Sequence, residues 1–308
     1  MEHIYDMIII GGGPGGCTTA LYAARAGLDT IVLEKMSAGG QMALTHQVDN
    51  YPGFEDGIDG YTLGEKMQAG AERFGAKTEL AEVRSVNLSE KIKRVESSEG
   101  TFLGKTVVLA TGAHPRDLDI PGEKDLVGRG ISYCAHCDGM FYRGKTVVVV
   151  GGGNTAAADA MQLSRVCEKV IVVHRRDTLK ATKIYHEPLM NAKNVEFRWN
   201  STVTELLHSE RLTGVVVKDV NSGEESTLQC DGIFVSIGRK PATELVKDQL
   251  ELDSAGYVIA DESTRTSLPG VFAVGDVRTK VLRQIITAAA DGASAAHYAD
   301  KYLSEFDH

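Results

Sequence analysis

At 308 residues the chain has room for two nucleotide-binding-sized units or one large α/β domain, and 43% hydrophobic with 24% charged residues is ordinary globular composition. A net charge of −9 repels phosphate backbones and removes the main electrostatic term of nucleic-acid binding, and no run approaches the ~18 apolar residues of a membrane span. The 33 Gly against 7 Pro cluster at residues 11–13 and 151–153 rather than in a linker, which excludes collagen, disorder and low complexity.

Residues 1–6 carry no basic region and the apolar run that follows stops at Gly11, so the start reads as a first strand and not a signal peptide. Without an export signal the five Cys are expected in the reducing cytoplasm, where a disulfide is more often catalytic than structural. Residues 5–10 form a continuous apolar run, as in a strand buried on both faces. It meets Gly11-Gly12-Gly13-Pro14-Gly15-Gly16, a G-x-G-x-x-G loop, and then the small-residue stretch 17–28, which reads as a helix. A second apolar run, 30–33, ends in Glu34 and Lys35. Glycines at this spacing let the backbone turn tightly and approach a pyrophosphate at a helix N-terminus, while an acid at the end of the second strand accepts from a ribose diol.

Residues 105–112, a strand ending in Gly112, close the first unit. The second repeats it. Residues 146–150 lead into Gly151-Gly152-Gly153-Asn154-Thr155-Ala156, and the run 170–173 ends in His174-Arg175-Arg176. Glu34 and His174 each lie 23 residues after the first glycine of their loop, so one position is acidic in the first copy and basic in the second. A carboxylate there repels a 2′-phosphate, whereas Arg175 and Arg176, with Lys180, pair with it. One loop is therefore expected to hold FAD or NAD and the other NADPH. Residues 232–238 close the second unit as 105–112 close the first. The alternating stretches 203–207 and 212–217 read as a small antiparallel addition, and 270–276 as a strand ending in Gly275 and Asp276. The final helix is rich in small residues, which points to close packing or close approach to a ligand.

Between the two loops lies Cys134-Ala135-His136-Cys137, followed by Asp138. A structural zinc needs four ligands, and Cys17, Cys167 and Cys230 are isolated, so no metal site is expected and the pair reads as a redox-active dithiol working by thiolate exchange. Asp138 is placed either to exchange a proton with a thiolate or to serve as a turn carboxylate.

In its order of motifs the chain resembles the low-molecular-weight thioredoxin reductases over nearly its whole length. The residues that carry the resemblance are 11–16, Gly39-Gly40-Gln41, Asn50-Tyr51-Pro52-Gly53, Ala110-Thr111-Gly112, the Cys134–Asp138 motif, 151–156, His174-Arg175-Arg176, Gly275-Asp276 and Arg283-Gln284. The resemblance implies two Rossmann-like α/β dinucleotide-binding domains. The NADPH domain (116–243, carrying the Cys pair) is inserted into a discontinuous FAD domain (1–115 and 244–308). It implies FAD against Gly11, Gly13, Gly16, Glu34 and Asp276, with Gln41, Asn50 and Thr111 around the flavin and Arg283, Gln284 and Ile285 near its ring. It implies Cys137 as the flavin-facing thiol, Cys134 as the thiol that attacks the partner disulfide, and Asp138 as the acid/base. It further implies domain rotation during turnover, a homodimer, and thioredoxin or a thioredoxin-like protein as partner, with no nucleic acid and no membrane. Two positions depart from the family's pattern: Lys180 replaces the usual Arg, keeping charge but losing bidentate geometry, and His136 stands where many relatives carry a small or apolar residue.

Other activities weigh less. A reductase serving a peroxidase system resembles this chain but carries extra N-terminal modules, and this chain begins directly at the first strand. Oxygen- or ferredoxin-linked relatives lack the second nucleotide motif, which is intact here. A non-catalytic flavin or nucleotide sensor has no need of the Cys pair.

Overall fold

The computed structural model describes residues 3–45 and 47–306, so Met1 and Glu2 of the N-terminal segment read above lie outside the described residues. In chain order the first elements are β1 (Ile4–Ile10), α1 (Pro14–Arg25), β2 (Thr30–Glu34), α2 (Gly60–Glu72), β3 (Lys77–Leu80), β4 (Val83–Asn87), β5 (Lys93–Ser97), β6 (Gly100–Leu109) and β7 (Ala113–Pro115). There follow β8 (Ile131–Ser132), α3 (Ala135–Asp138), β9 (Thr146–Val150), α4 (Asn154–Leu163), β10 (Lys169–Val173), α5 (His186–Met190) and β11 (Val195–Arg198). The last are β12 (Ser201–His208), β13 (Leu212–Asp219), β14 (Glu225–Gln229), β15 (Gly232–Val235), β16 (Arg239–Pro241), β17 (Val271–Ala273) and α6 (Ile285–Ser304). The chain divides into two compact units, one of Met1–His114 with Lys240–His308 and one of Pro115–Arg239.

The discontinuous unit is built on a seven-stranded sheet in the order β3-β2-β1-β6-β5-β4, with β17 also paired to β6. Strands β3, β2, β1, β6 and β17 run parallel, and β5 and β4 add an antiparallel edge. Alternation along β1 sends Met7 and Ile9 to one face, where Val108 and Phe272 meet the small residues of α1 and α6. Ile8 and Ile10 go to the other, with Ile31, Leu33, Val107 and Val258. All four are at most 4% exposed, as a parallel strand covered on both sides requires.

The small residues of α6 are explained by packing. A Cβ on Gly292 would lie 2.4 Å from the Gly15 carbonyl oxygen and 2.8 Å from the Thr19 amide. Backbone meets backbone where α6 crosses α1, and only glycine permits that approach. Among the described residues no helix is long and apolar enough to cross a membrane.

The continuous unit holds a five-stranded parallel sheet, β11-β10-β9-β15-β8. Val147 and Val149 face α4 through Ala156, Ala160 and Leu163. Val148 and Val150 face the antiparallel sheet β12-β13-β14 through Leu206, Val215 and Leu228. The alternating stretches at 203–207 and 212–217 thus form the antiparallel layer that their pattern suggests, with registers such as Val203↔Val217 and Leu206↔Val215.

Candidate active site

In the discontinuous unit β1 delivers the chain into the first glycine loop. Gly11 has φ +108°, and a Cβ there would lie 2.5 Å from the Ala110 carbonyl oxygen; one on Gly16 would lie 1.9 Å from that of Gly11. These glycines are forced by the backbone itself. Gly13 is different: an added Cβ would have nothing within 4 Å, and its φ of −73° is ordinary. Pro14 takes the first position of α1, where its missing N–H costs nothing, and no side chain caps this end. The first-turn amides, including those of Gly15 and Gly16, are left available to an anion.

The rest of the cradle closes on that loop. Glu34, at the end of β2, accepts the Gly12 amide proton on Oε2 at 2.6 Å and that of Met36 on Oε1 at 3.0 Å. Gly39 donates to the Gly12 carbonyl at 2.9 Å, and a Cβ on Gly40 would lie 3.4 Å from the Gly13 Cα. Lys35 is exposed beside them. A Cβ on Gly15 would lie 3.0 Å from Val274 Cγ2, which brings the turn carrying Gly275 and Asp276 next to the same loop. Asn50 and Gln284, far apart in sequence, meet at 3.0 Å, and Gln284 caps α6 immediately before Ile285. Gln41 pairs with His114 at 3.1 Å, Thr111 donates to the Ala242 carbonyl at 2.8 Å, and Gly112 takes φ +72°. The Arg283 guanidinium stacks over the Tyr257 ring at 4.0 Å. An open Gly13, an uncapped helix and an acid fixed at the strand end suit a dinucleotide such as FAD.

Sequence reasoning missed what braces this region. Asp291 on α6 accepts from the Gly275 amide at 2.8 Å, from Arg278 Nε at 2.9 Å and Nη2 at 2.7 Å, and from Lys280 Nζ at 2.7 Å. Arg278 and Asp291 are 3% and 5% exposed. Burial opposes the Asp291 charge, but the two cations outweigh it and hold the carboxyl below its ordinary range. A lone acid in the Ala/Gly-rich face of α6 is the one sequence signal that points to it.

In the continuous unit the second loop repeats the geometry. Gly151 takes φ +146°, with an added Cβ 2.4 Å from the Ser236 carbonyl oxygen, while Gly153 is open and precedes the uncapped α4. A Cβ on Gly152 would overlap the His174 ring, 2.2 Å from Cε1. His174 is 7% exposed, and burial pushes its pKa down, with Arg175, Arg176 and Lys180 adding repulsion. Its Nε2 has no hydrogen-bond partner among the described residues. Lys180 and Ala181 donate their amides to the Gly152 carbonyl at 2.7 and 3.1 Å, and Asn154 Oδ1 accepts from Thr182 at 2.8 Å. The side chains of Arg175, Arg176, Lys180 and Thr155 are exposed. Three exposed cations beside an uncapped helix suit a nucleotide with an extra phosphate such as NADPH.

Cys134 and Cys137 form a disulfide with Cα atoms 5.3 Å apart, both half-buried at the start of α3. Cys137 donates its amide to Cys134 Sγ at 3.2 Å, and Gln162 of α4 donates to the Ala135 carbonyl at 3.2 Å, tying α3 down. Asp138, at the end of that turn, accepts from the Ser132 hydroxyl at 2.6 Å. His136 points outward, exposed. The other three thiols are buried, and burial pushes Cys17 and Cys230 up to about 12 and Cys167 up to about 11. At neutral pH they carry almost no thiolate, so exchange chemistry belongs to the bonded pair.

Two dinucleotide-type loops and one vicinal disulfide in a single chain are the equipment of a disulfide oxidoreductase. Residues 5–292 match the pyridine nucleotide-disulphide oxidoreductase family. The thioredoxin reductase of Listeria monocytogenes is 44% identical over 305 residues, covering 99% of this chain and 95% of that one. A bifunctional thioredoxin reductase/thioredoxin of Mycobacterium leprae is 44% identical over 306 residues, covering 99% of this chain and 67% of its own. The crystal structure of thioredoxin reductase from Streptococcus pyogenes superposes with a TM-score of 0.91 at 41% identity, covering 99% of this chain and 100% of that one. The chain belongs to the pyridine nucleotide-disulphide oxidoreductase family, in its thioredoxin reductase branch, and is an enzyme of two dinucleotide-binding domains.

Proposed function

We propose that this chain is an NADPH-dependent thioredoxin reductase, in which electrons pass from NADPH through FAD and the Cys134–Cys137 disulfide to thioredoxin. The observation that carries the reading is the contrast between the two loops. Glu34 clamps Gly12 at the first, whereas His174 covers Gly152 at the second with Arg175, Arg176 and Lys180 beside it. The acid at the first loop suits FAD, and the cations at the second suit NADPH. FAD, when bound, supplies a two-electron carrier between nicotinamide and disulfide.

The chain's own residues do the rest. Gly13 and the first turn of α1 receive the FAD pyrophosphate, Glu34 its adenosine ribose and Asp276 its ribityl chain. Gln41, Asn50, Thr111, Arg283, Gln284 and Ile285 line the flavin. Gly153 and the first turn of α4 receive the NADPH pyrophosphate, and Arg175 and Arg176 hold its 2′-phosphate. Once reduced, Cys134 attacks the partner disulfide and expels one partner thiolate. Cys137 then attacks Cys134 Sγ, restores the internal disulfide and expels the second. The partner gains two electrons and two protons, the protons passing by way of Asp138. The fusion carried by the Mycobacterium leprae relative supports thioredoxin as acceptor. The reading includes a homodimer in the cytoplasm, on the family resemblance.

The test is direct. Purified protein is expected to be yellow with non-covalent FAD and to oxidise NADPH in preference to NADH when given a thioredoxin. A folded, colourless protein that FAD does not reconstitute, or one that ignores thioredoxin, contradicts the reading.

A further inference from the structure

Ser132 is the last residue of β8, paired through Phe234 to β15, and is 2% exposed. It lies two residues before Cys134 and six before Asp138. The chain leaves the sheet at Tyr133, and the single turn of α3 returns Asp138 above the strand end. One oxygen then serves both neighbours: Ser132 Oγ accepts the Cys134 amide proton at 3.1 Å and lies 2.6 Å from Asp138 Oδ2, to which it donates. The Cys134 carbonyl lies farther from the same oxygen, at 3.4 Å, and itself accepts from the amides of Cys137 and Asp138 at 3.2 and 3.1 Å. A hydroxyl has one proton to give, and the 2.6 Å contact is the length of a charge-assisted bond. The backbone of the attacking cysteine and the carboxylate that handles its proton are therefore fixed to one buried atom.

We infer that Ser132 is a positioning residue for thiol–disulfide exchange, holding the Asp138 carboxylate in register with Cys134. The inference rests on the proposed role of the Cys134–Cys137 pair. In the step concerned, Asp138 takes the proton of the Cys134 thiol. The Cys134 thiolate forms a bond to one partner sulfur as the partner's S–S bond breaks, and the expelled thiolate receives that proton from Asp138. Ser132 transfers nothing. It sets where the carboxylate stands, and on this inference its removal acts chiefly through Asp138 rather than through the Cys134 amide from which it also accepts.

The experiment uses the FAD-loaded full-length enzyme with Ser132→Ala, Ser132→Thr, Asp138→Asn and the double variant Ser132→Ala/Asp138→Asn. Turnover is measured with thioredoxin and with the small disulfide 5,5′-dithiobis(2-nitrobenzoate). Flavin reduction by NADPH is followed separately by stopped flow. Loss of one hydrogen bond to a charged group predicts a fall in disulfide turnover of about tenfold to a hundredfold for Ser132→Ala. Flavin reduction is expected to be unchanged, Ser132→Thr to stay within about threefold of the parent, and Ser132→Ala to cost nothing further in the Asp138→Asn background. Losses that multiply in the double variant place the effect of Ser132 on the Cys134 backbone or on packing rather than on Asp138, and they overturn the inference, as does an equal fall in flavin reduction. If Ser132→Ala does not fold, a Ser132→Thr variant that folds but turns over as poorly as Asp138→Asn also overturns it. A parent enzyme that turns over the small disulfide but not thioredoxin removes thioredoxin as acceptor while leaving the Ser132 comparison intact. A parent that reduces neither overturns both.

Discussion

The Glu34 carboxylate accepts the Gly12 amide proton at 2.6 Å, which fixes an acid against the middle glycine of the first loop. The second loop reproduces the arrangement with an imidazole, His174 lying over Gly152 closely enough to exclude any Cβ there. The chain thus covers the middle glycine of both loops with the residue at the end of the second strand, by a hydrogen bond in the first and by packing alone in the second. On the proposed reading, Arg175, Arg176 and Lys180 beside His174 then select the nucleotide that carries the extra phosphate.

The open glycines give the first prediction. Gly13 and Gly153 have ordinary φ values of −73° and −89° and no atom near a would-be Cβ. Gly13→Ala and Gly153→Ala are therefore expected to leave the melting temperature of the cofactor-free protein unchanged. Gly13→Ala is expected to weaken FAD, and Gly153→Ala NADPH, each by about tenfold or more, the scale of one lost hydrogen bond to a charged group. Flavin fluorescence titration and NADPH KM read the two effects, and a fall in melting temperature without loss of affinity contradicts them.

On the proposed reading, nucleotide choice follows from the exposed cations after β10. Arg175→Ala with Arg176→Ala removes charge-assisted bonds of about 1.5–3 kcal/mol, so the NADPH KM is expected to rise from about tenfold to over a hundredfold. The NADH KM is expected to move little. Equal effects on both nucleotides, or a parent preference for NADH, remove the 2′-phosphate argument.

The buried cluster at Asp291 governs stability. Asp291→Asn takes the buried carboxylate from Lys280 and leaves Arg278 only the exposed Glu262 at 3.9 Å, and breaking a buried pair in this way costs about 3–5 kcal/mol. The pH dependence has a definite sign. The folded pKa of Asp291 lies below its ordinary 3.8, so the charged carboxylate contributes fully above that value and loses its contribution as pH falls through the folded pKa. Urea midpoints are expected to show a constant deficit for Asp291→Asn from pH 8 to 5 that shrinks only in acid. A deficit that grows with acid contradicts the ion-pair account.

Much of this was legible in the sequence because the signals are local. The Gly11 and Gly151 loops and the Cys134–Cys137 pair are each set by backbone geometry within a few residues, and the 23-residue step to Glu34 and His174 by a single loop–helix–strand unit. The antiparallel layer at β12 and β13 showed in its alternation. The Asp291 cluster did not, because Gly275, Arg278 and Lys280 reach Asp291 only when the segment after β17 folds back along α6, which no periodic pattern encodes. Ser132 was equally silent, since a serine at a strand end is ordinary until α3 folds Asp138 back onto it. The encounter of Asn50 with Gln284 bridges most of the chain and likewise depends on tertiary packing.

The central claim is that electrons leave through Cys134 and Cys137 to a thioredoxin, and the two thiols separate it most directly. Each of the variants Cys134→Ser and Cys137→Ser is mixed with a single-cysteine thioredoxin activated as its thionitrobenzoate disulfide, and the products are weighed by mass spectrometry. The account predicts that Cys137→Ser, which keeps Cys134, forms a stable mixed disulfide with release of thionitrobenzoate. It predicts that Cys134→Ser does so far more slowly, and that both variants keep flavin reduction by NADPH but lose thioredoxin turnover. Adduct formation in the opposite variant reverses the roles of the two thiols, and full thioredoxin turnover by either variant contradicts the dithiol mechanism itself.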